Sequence, residues 1–314
     1  MAIGLGTAAL GRPQYINLKQ EENTVQDLDA FKEKGIQVLE VAYRSGIRFF
    51  DTAPGYGLAE QLMLDWLQTK NDASIEVSTK WGYTYVANFD PKATVHEVKE
   101  HSLAKLNAQW QVSRGLLPHL KLYQIHSATL DTGVLENEQV LNSLYALKME
   151  HKLQMGVTTS GANQTEIVKK ALDVAVNGTQ LFDAFQVTYN VLEQGLEGVC
   201  QALKHQHKKV LVKEALANGR IFSNADYPHY GGCYRMLESL AKKYDVGTDA
   251  IALQFCAQTL PDSMVLSGAS NVAHLEANLK AEGITLSEEE VEKLKTCKVA
   301  SADYWEERKR LNWQ

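Results

Sequence analysis

Cysteine and proline are scarce in this chain, with four and six among 314 residues. Cys200, Cys233, Cys256 and Cys297 stand far apart and never in Cys-x-x-Cys spacing, which excludes a thiolate metal site or a dithiol redox motif. Cys200 and Cys256 fall inside helical apolar patterns and read as reduced core thiols, an expectation that suits a cytoplasmic setting. No apolar run approaches the roughly 20 residues of a membrane helix, so no membrane partner is expected. The opening Met1-Ala2-Ile3-Gly4-Leu5 is apolar but has no charged start, and Arg12-Pro13 closes the run too early for a signal peptide. An excess of cations is missing too. Lys and Arg number 32 against 38 Asp and Glu, a net charge of -6, and no basic stripe offers itself to nucleic acid. The basic cluster His205-Gln206-His207-Lys208-Lys209 reads as a solvated loop. With no carboxylate or cysteine beside it, no metal is expected there.

What the chain does have is alternation. Short β-rich runs fall at 3–8, 48–51, 76–80, 120–126, 154–159, 184–188, 209–214 and 263–267. Between them, helices are expected near 36–45, 59–68, 94–106, 137–150, 165–177, 196–205, 233–244, 248–259 and 272–280. Apolar spacings such as Leu141, Leu144, Leu147 and Ile167, Ala171, Val174 carry those helices. Length alone allows one large barrel or two domains. Eight strands, each followed by helix, favour an α/β chain folded as one (β/α)8 TIM barrel over 1–314. An open doubly wound sheet would want Gly-x-Gly-x-x-Gly opening a helix. Gly4 and Gly6 begin that motif, but Ala9 stands in the third position and a loop is expected to follow. A helical tail is announced by the capping box Ser287-Glu288-Glu289-Glu290. Beyond it, Tyr304, Trp305 and Trp313 either fold over the barrel mouth or cover an apolar patch.

Polar groups at the carboxyl ends of barrel strands converge on one face. Asp51 closes Ile47–Asp51, Lys80 closes Ile75–Lys80, His126 closes Leu120–His126, and Tyr56 follows in the turn Thr52-Ala53-Pro54-Gly55-Tyr56-Gly57. Each has an ordinary structural reading when taken singly: a turn former, a surface lysine, a hydrogen-bonded core histidine. Together they make a proton-transfer set built around a phenol. A free tyrosine, with a pKa near 10, is a poor acid at neutral pH, and a nearby ammonium lowers that value. Lys80 is placed to be that ammonium, Asp51 to hold it, and a neutral His126 to hydrogen-bond a substrate oxygen. The set suits protonation of a carbonyl oxygen as hydride arrives at carbon, or the reverse oxidation of an alcohol.

The segment Phe49-Phe50-Asp51-Thr52-Ala53-Pro54-Gly55-Tyr56-Gly57, with Glu60, resembles the signature of the aldo-keto reductase superfamily. The likeness continues through Ser78-Thr79-Lys80, Tyr123-Gln124-Ile125-His126, Gly156-Val157-Thr158, Gln186–Asn190, Ala215–Gly219 and Gly268-Ala269-Ser270 with Asn278. It implies a barrel that binds a nicotinamide nucleotide in extended form. It also implies Tyr56 as general acid/base, Lys80 and Asp51 as its tuning pair, and His126 as the residue that orients the carbonyl. For the cofactor it implies Gly6 and Thr7 on the first strand. Thr158, Thr159 and Ser160 fall where the family's carboxamide-gripping pair lies, with Gln186 as their partner from strand 6. Ala215, Leu216, Gly219 and Arg220 would line the pyrophosphate, Arg220 as a phosphate partner. Gly268, Ala269, Ser270, His274 and Asn278 would hold the adenosine end. Two departures stand out. Lys213 occupies the position where many members stack an aromatic ring on the nicotinamide. The start of the last barrel helix carries Ser270 and His274 where NADP-selective members place Lys or Arg. The cofactor is therefore expected to be NAD or NADP, with a slight lean to NAD or dual use.

Trp81, Tyr83, Tyr85 and Phe89 after Lys80, and Tyr227, His229, Tyr230 and Tyr234 after strand 7, are candidate substrate walls, with Trp81, Tyr56 and His126 nearest the reacting carbon. Aromatic faces with hydroxyls suit a small aldehyde, or a sugar and its lactol. Two other readings remain. A Schiff-base aldolase would use Lys80 or Lys213, and a non-catalytic nucleotide-binding barrel would serve a regulatory role. Oligomeric state is left open.

Overall fold

The computed structural model describes residues 1–13, 18, 27–90 and 92–313. Eight parallel strands close into a barrel in chain order: β1 Ala2–Gly6, β2 Phe49–Asp51, β3 Glu76–Trp81, β4 Leu120–Ala128, β5 Gln154–Thr159, β6 Ala184–Thr188, β7 Lys209–Lys213 and β8 Met264–Ser267. β8 pairs back onto β1, with Ile3 opposite Val265. This is the (β/α)8 barrel that the alternation predicts.

Strand periodicity explains how one sequence makes both a core and a site. Side chains of alternate residues point to the same face. Leu5, Phe50, Val77, Ile125, Val157, Phe185, Val212 and Val265 point outward, and join helix residues such as Leu39, Leu106, Leu144, Ile167 and Leu253 in the main core. Their neighbours Phe49, Leu122, Ala184, Leu211 and Leu266 form a separate small apolar cluster inside the barrel. Two residues further on, the same inward face carries Asp51, Gln124, Gln186 and Lys213. The barrel is thus plugged by apolar side chains below and lined by polar ones above. Gly156 leaves the room this needs, because a Cβ there would lie 2.8 Å from Gln124 Cγ.

Several helix expectations shift. The helix expected at 36–45 runs Leu28–Arg44, because Asp27 caps it about two turns before its buried face begins at Gly35; Asp27 accepts from the Asp29 amide at 2.9 Å. Apolar spacing marks only the part packed on the barrel. The loop expected after Gly6 contains a short helix, Ala8–Gly11. The helix expected at 94–106 is replaced by a hairpin pairing Tyr83–Tyr85 with Glu97–Lys99, and then Leu103–Ser113, capped by Ser102. Val95 and Val98, inside the stretch expected to be helical, are exposed. The helix expected at 165–177 ends at Leu172, and Ala175–Val176 pairs with Thr179–Gln180 around Asn177-Gly178. Both turn residues have positive φ, 51° and 74°, which an Asn-Gly pair adopts at low cost. In the tail, Ser287 and Glu290 form the expected capping box of Glu288–Lys295, and a second helix spans Ser301–Lys309. Among the described residues no helix is long and apolar enough to cross a membrane.

Candidate active site

Asp51, Tyr56, Lys80 and His126 meet at the rim where β2, β3 and β4 end. The Asp51 carboxylate is the hub. Its Oδ2 accepts from Lys80 Nζ at 2.5 Å, while Oδ1 accepts from Ser78 Oγ, from Gln186 Nε2 at 3.0 Å and from Gln124 Nε2 at 3.3 Å. Lys80 Nζ also donates to the Thr52 carbonyl at 3.0 Å and lies 4.6 Å from the Tyr56 ring centroid. Tyr56 rides on the single 3-10 turn Pro54–Tyr56. Beneath it Gly11 packs backbone to backbone: its carbonyl accepts from the Leu58 amide at 2.8 Å, and a Cβ there would sit 1.9 Å from the Tyr56 carbonyl oxygen. The Tyr56 and His126 rings meet edge to face with centroids 5.3 Å apart, and Tyr83 lies 4.6 Å from His126 on another side.

Electrostatics assigns protonation states here. Burial first, and the Asp51 carboxylate second, push the Tyr56 phenol well above the ordinary tyrosine value, with Arg12 pulling the other way. This corrects the expectation of a phenol acidified by Lys80: the charge of Lys80 is taken up by Asp51, and burial governs the phenol. Tyr56 is therefore a protonated donor in this state. Burial, followed by the charges of Lys80, Lys213 and Arg12, pushes His126 well below the ordinary imidazole value, so it is neutral as expected. Its Nδ1 is buried with no hydrogen-bond partner among the described residues. The backbone carbonyl of His126 accepts from His101 Nε2 at 2.9 Å, which pins the residue from behind.

The four residues stand at one end of a cavity of about 810 Å³. Asp51, Tyr56 and His126 line it, as do Gly6, Ser160, Gln186, Lys213, Ala215, Leu216, Gly219, Gly268, Ala269, Ser270, His274 and Asn278. Other candidates do not. Lys80 is wholly buried on Asp51, and Tyr83, Tyr85 and Phe89 also stand outside the lining. Thr7 is buried behind the wall, its hydroxyl donating to the Asp51 carbonyl at 3.0 Å. Thr158 spends its hydroxyl on the Ser127 amide at 2.6 Å, and Thr159 faces Gln164 at 3.4 Å. Arg220 is wholly buried, donates to Glu307 and to the Ala217 and Tyr304 carbonyls, and does not line the cavity. Trp81 is buried against His101, with centroids 5.6 Å apart, and is no substrate wall. The expected aromatic wall at 227–234 is also corrected. Tyr230 and His229 bind Glu307 of the tail, and Tyr227 and Tyr234 pack on Tyr230 outside the cavity.

A model of the aldo/keto reductase family matches residues 2–299. The chain belongs to the aldo-keto reductases. Curated relatives include an aryl-alcohol dehydrogenase of Pestalotiopsis microspora, 24% identical over 84% of this chain and 72% of its own length. A norsolorinic acid reductase of Aspergillus flavus is 24% identical over 82% and 69%. Among solved structures, the glycerol dehydrogenase AKR11B4 from Gluconobacter oxydans superposes with a TM-score of 0.72 at 20% identity, covering 94% of this chain and 90% of its own. The holo form of AKR11C1 from Bacillus halodurans gives 0.69 at 21%, covering 95% and 92%. As an aldo-keto reductase, the protein is an oxidoreductase of carbonyl and alcohol groups that works with a nicotinamide cofactor.

This aldo-keto reductase builds part of its site from residues that the sequence reading missed. Arg12 is buried between Tyr56 and the tail. Its Nη1 donates to the Gly55 carbonyl at 3.0 Å and to Glu97 at 2.8 Å, and its guanidinium lies 5.4 Å from the Tyr56 ring and 4.7 Å from that of Trp313. Trp313 in turn stacks on His96, centroids 4.4 Å apart, so the tail does reach over the mouth. Glu214 is clamped by Arg308 from the last helix. None of these pairs is near in sequence, and only the Lys213-Glu214 neighbourhood carried a signal. The cavity fits an extended nucleotide: it runs from the phenol to the turn before the helix Val272–Leu279, where no atom lies within 4 Å of a Cβ built on Gly268.

Proposed function

We propose that this aldo-keto reductase interconverts a small aldehyde or ketone, or a sugar lactol, with the corresponding oxidised or reduced partner, using Tyr56 as general acid/base. The observation that carries the reading is a protonated, densely packed phenol that faces the cavity between the Lys80–Asp51 pair and a neutral imidazole. When bound, the nicotinamide supplies or accepts the hydride. The chain does the rest. His126, unable to add charge, hydrogen-bonds the carbonyl oxygen and orients it. Tyr56 gives its proton to that oxygen, and the phenolate left behind is stabilised by Lys80 and Arg12. Asp51 keeps Lys80 charged and fixed. The wall formed by Ser160, Gln186 and Lys213 lies where the nicotinamide would rest, and Gly268 to Asn278 lie where the adenosine would.

For the cofactor, the reading leans to NAD or dual use. Ser270 and His274 offer no fixed cation for a 2'-phosphate. A ratio of kcat/KM for NADPH over NADH above 100 would overturn that lean. Four free buried cysteines support a reducing, cytoplasmic setting. The central test is Tyr56→Phe in a variant shown to be folded. Carbonyl reduction should fall by about three orders of magnitude while cofactor affinity holds, and an unchanged rate sinks the proposal. Screening aldehydes, polyols and sugars in both directions reads the substrate class; exclusive turnover of bulky polycyclic ketones counts against a small substrate.

A further inference from the structure

The carboxyl ends of β5 to β7 hold an arrangement that the proton-transfer scheme leaves unused. Lys213 is half-buried on the cavity wall, and its Nζ donates to Ser160 Oγ at 2.8 Å. Ser160 Oγ lies 3.2 Å from Ser127 Oγ, so the lysine meets a pair of neutral hydroxyls. Among the described residues no carboxylate comes within ion-pair distance of it. Its neighbour Glu214 has φ of 55° and turns to the tail, where Arg308 Nε reaches both carboxylate oxygens at 3.0 Å and Nη2 adds a third contact at 2.5 Å. Asp51 is likewise held by Lys80. Each acid on this side of the cavity is thus committed to another cation, and the Lys213 charge faces the cavity without a paired anion.

A hydride donor must lie against the carbon whose oxygen Tyr56 and His126 hold, and the wall available for it is Ser160, Gln186 and Lys213. An oxidised nicotinamide ring carries a positive charge; the reduced ring is neutral. An ammonium on that wall repels the first and not the second, whereas an aromatic residue there would repel neither. We propose that Lys213 sets the redox balance of the bound cofactor, weakening the oxidised form relative to the reduced form and so biasing the site toward alcohol oxidation. This rests on the nicotinamide-dependent reading above. Two unit charges about 4 Å apart interact by roughly 1 kcal/mol in water and about 4 kcal/mol at an effective dielectric constant near 20. A tenfold effect on affinity ratio, about 1.4 kcal/mol, lies inside that range.

The charge is also titratable in an accessible range. Burial lowers Lys213 to about 8, with Arg308 and Lys80 pushing the same way and Glu214 and Asp51 opposing. His126, which feels the Lys213 charge, is neutral. Below about pH 8 the ammonium penalises the oxidised form, and as the pH rises through that value the penalty lapses.

The test is direct binding, by calorimetry or quenching of protein fluorescence, of oxidised and reduced cofactor to the wild-type protein, Lys213→Met and Lys213→Arg. Methionine keeps the aliphatic stem without the charge; arginine keeps the charge. Kd for the oxidised form divided by Kd for the reduced form should fall about tenfold in Lys213→Met and stay within threefold in Lys213→Arg. In the wild type alone, affinity for the oxidised form should rise between pH 7 and pH 9.5. The inference is overturned if both forms bind and the ratio is the same in the wild type and Lys213→Met. It is also overturned if the methionine variant weakens only a carboxylate-bearing substrate, since the lysine would then serve the substrate. If neither form binds the wild type, the parent reading itself fails.

Discussion

The two halves of the barrel rim solve the problem of buried charge differently. At the ends of β2 to β4 the charges are closed upon one another: Lys80 on Asp51 at 2.5 Å, Arg12 on Glu97 at 2.8 Å, and His126 held neutral. At the ends of β5 to β7, Glu214 is drawn off by Arg308, and Lys213 is left facing hydroxyls and the cavity. The first half is complete before any ligand arrives, as a site must be whose donors cannot afford to reorganise during proton transfer. The second half is completed by what binds. The tetrad of the first half lies within the aldo-keto reductase signature, and in the second half Lys213 is the residue that departs from the family's pattern.

Breaking the closed half should have the largest effect. Lys80→Met removes the cation beside the phenol and leaves Asp51 buried with only neutral donors. Carbonyl reduction should fall by about a thousandfold, and chemical denaturation should register a loss of about 3–5 kcal/mol, the usual cost of orphaning one partner of a buried pair. The double variant Asp51→Asn/Lys80→Met sharpens the point. If the pair is a catalytic device rather than a stabilising one, most of the stability should return in the double variant and none of the activity.

The same test on the open half should be milder. Arg308→Ala strips Glu214 of its strongest partner, and about 2–3 kcal/mol of stability should go, since the pair is less enclosed. The pH dependence gives this an independent sign. Burial alone would raise the Glu214 carboxyl above its ordinary 4.5, but Arg308 and Lys213 outweigh burial and hold it lower. A depressed folded-state value means a contribution that is full above the unfolded value and lost as the pH falls through the folded one. Acidification toward pH 3 should therefore narrow the gap between Arg308→Ala and the wild type, and a constant gap would place the effect in packing on Trp305 instead.

Tyr56 supplies a pH prediction for the closed half. A raised phenol keeps its proton as the medium becomes alkaline, so the reductive rate should not decline where an ordinary tyrosine ionises, near 10. Stopped-flow reduction at pH 9 to 10.5, beside a stability control, reads this. A decline through that range would mean that ligand binding returns control of the phenol to Lys80.

Why the closed half was legible in sequence is a matter of distance along the chain. Asp51, Tyr56, Lys80 and His126 each end a strand or follow it in a short turn, and strand ends must converge in a barrel. The open half depends on contacts that no local pattern encodes. Arg308 reaches Glu214 across 94 residues and Tyr304 caps Asn190 across 114, so Arg220 looked available for phosphate when it was already committed to the tail. Part of the stretch 94–106 expected as helix forms instead the second strand of the hairpin with Tyr83–Tyr85, and its Val95 and Val98 are exposed. Propensity had no way to tell a face that packs from one that does not.

The smallest expected effect probes where the two halves meet the tail. Trp313 stacks on His96 at 3° between planes and covers the Arg12 guanidinium, so it is tied to the side of Tyr56 and the 83–99 hairpin. Such contacts are worth about 0.5–1.5 kcal/mol for a ring pair and about 2 kcal/mol for a desolvated cation over a ring. Trp313→Ala should therefore raise KM for the carbonyl substrate a few-fold by loosening the mouth beside Tyr56, with kcat changed less than about twofold. Cofactor Kd should move less than the carbonyl KM, because the ring's stacking on His96 and its cover of Arg12 lie beside Tyr56. An equal loss in cofactor affinity would mean that the tail closes over both ligands together, and the division of the rim into a closed and an open half would have to be redrawn around the tail.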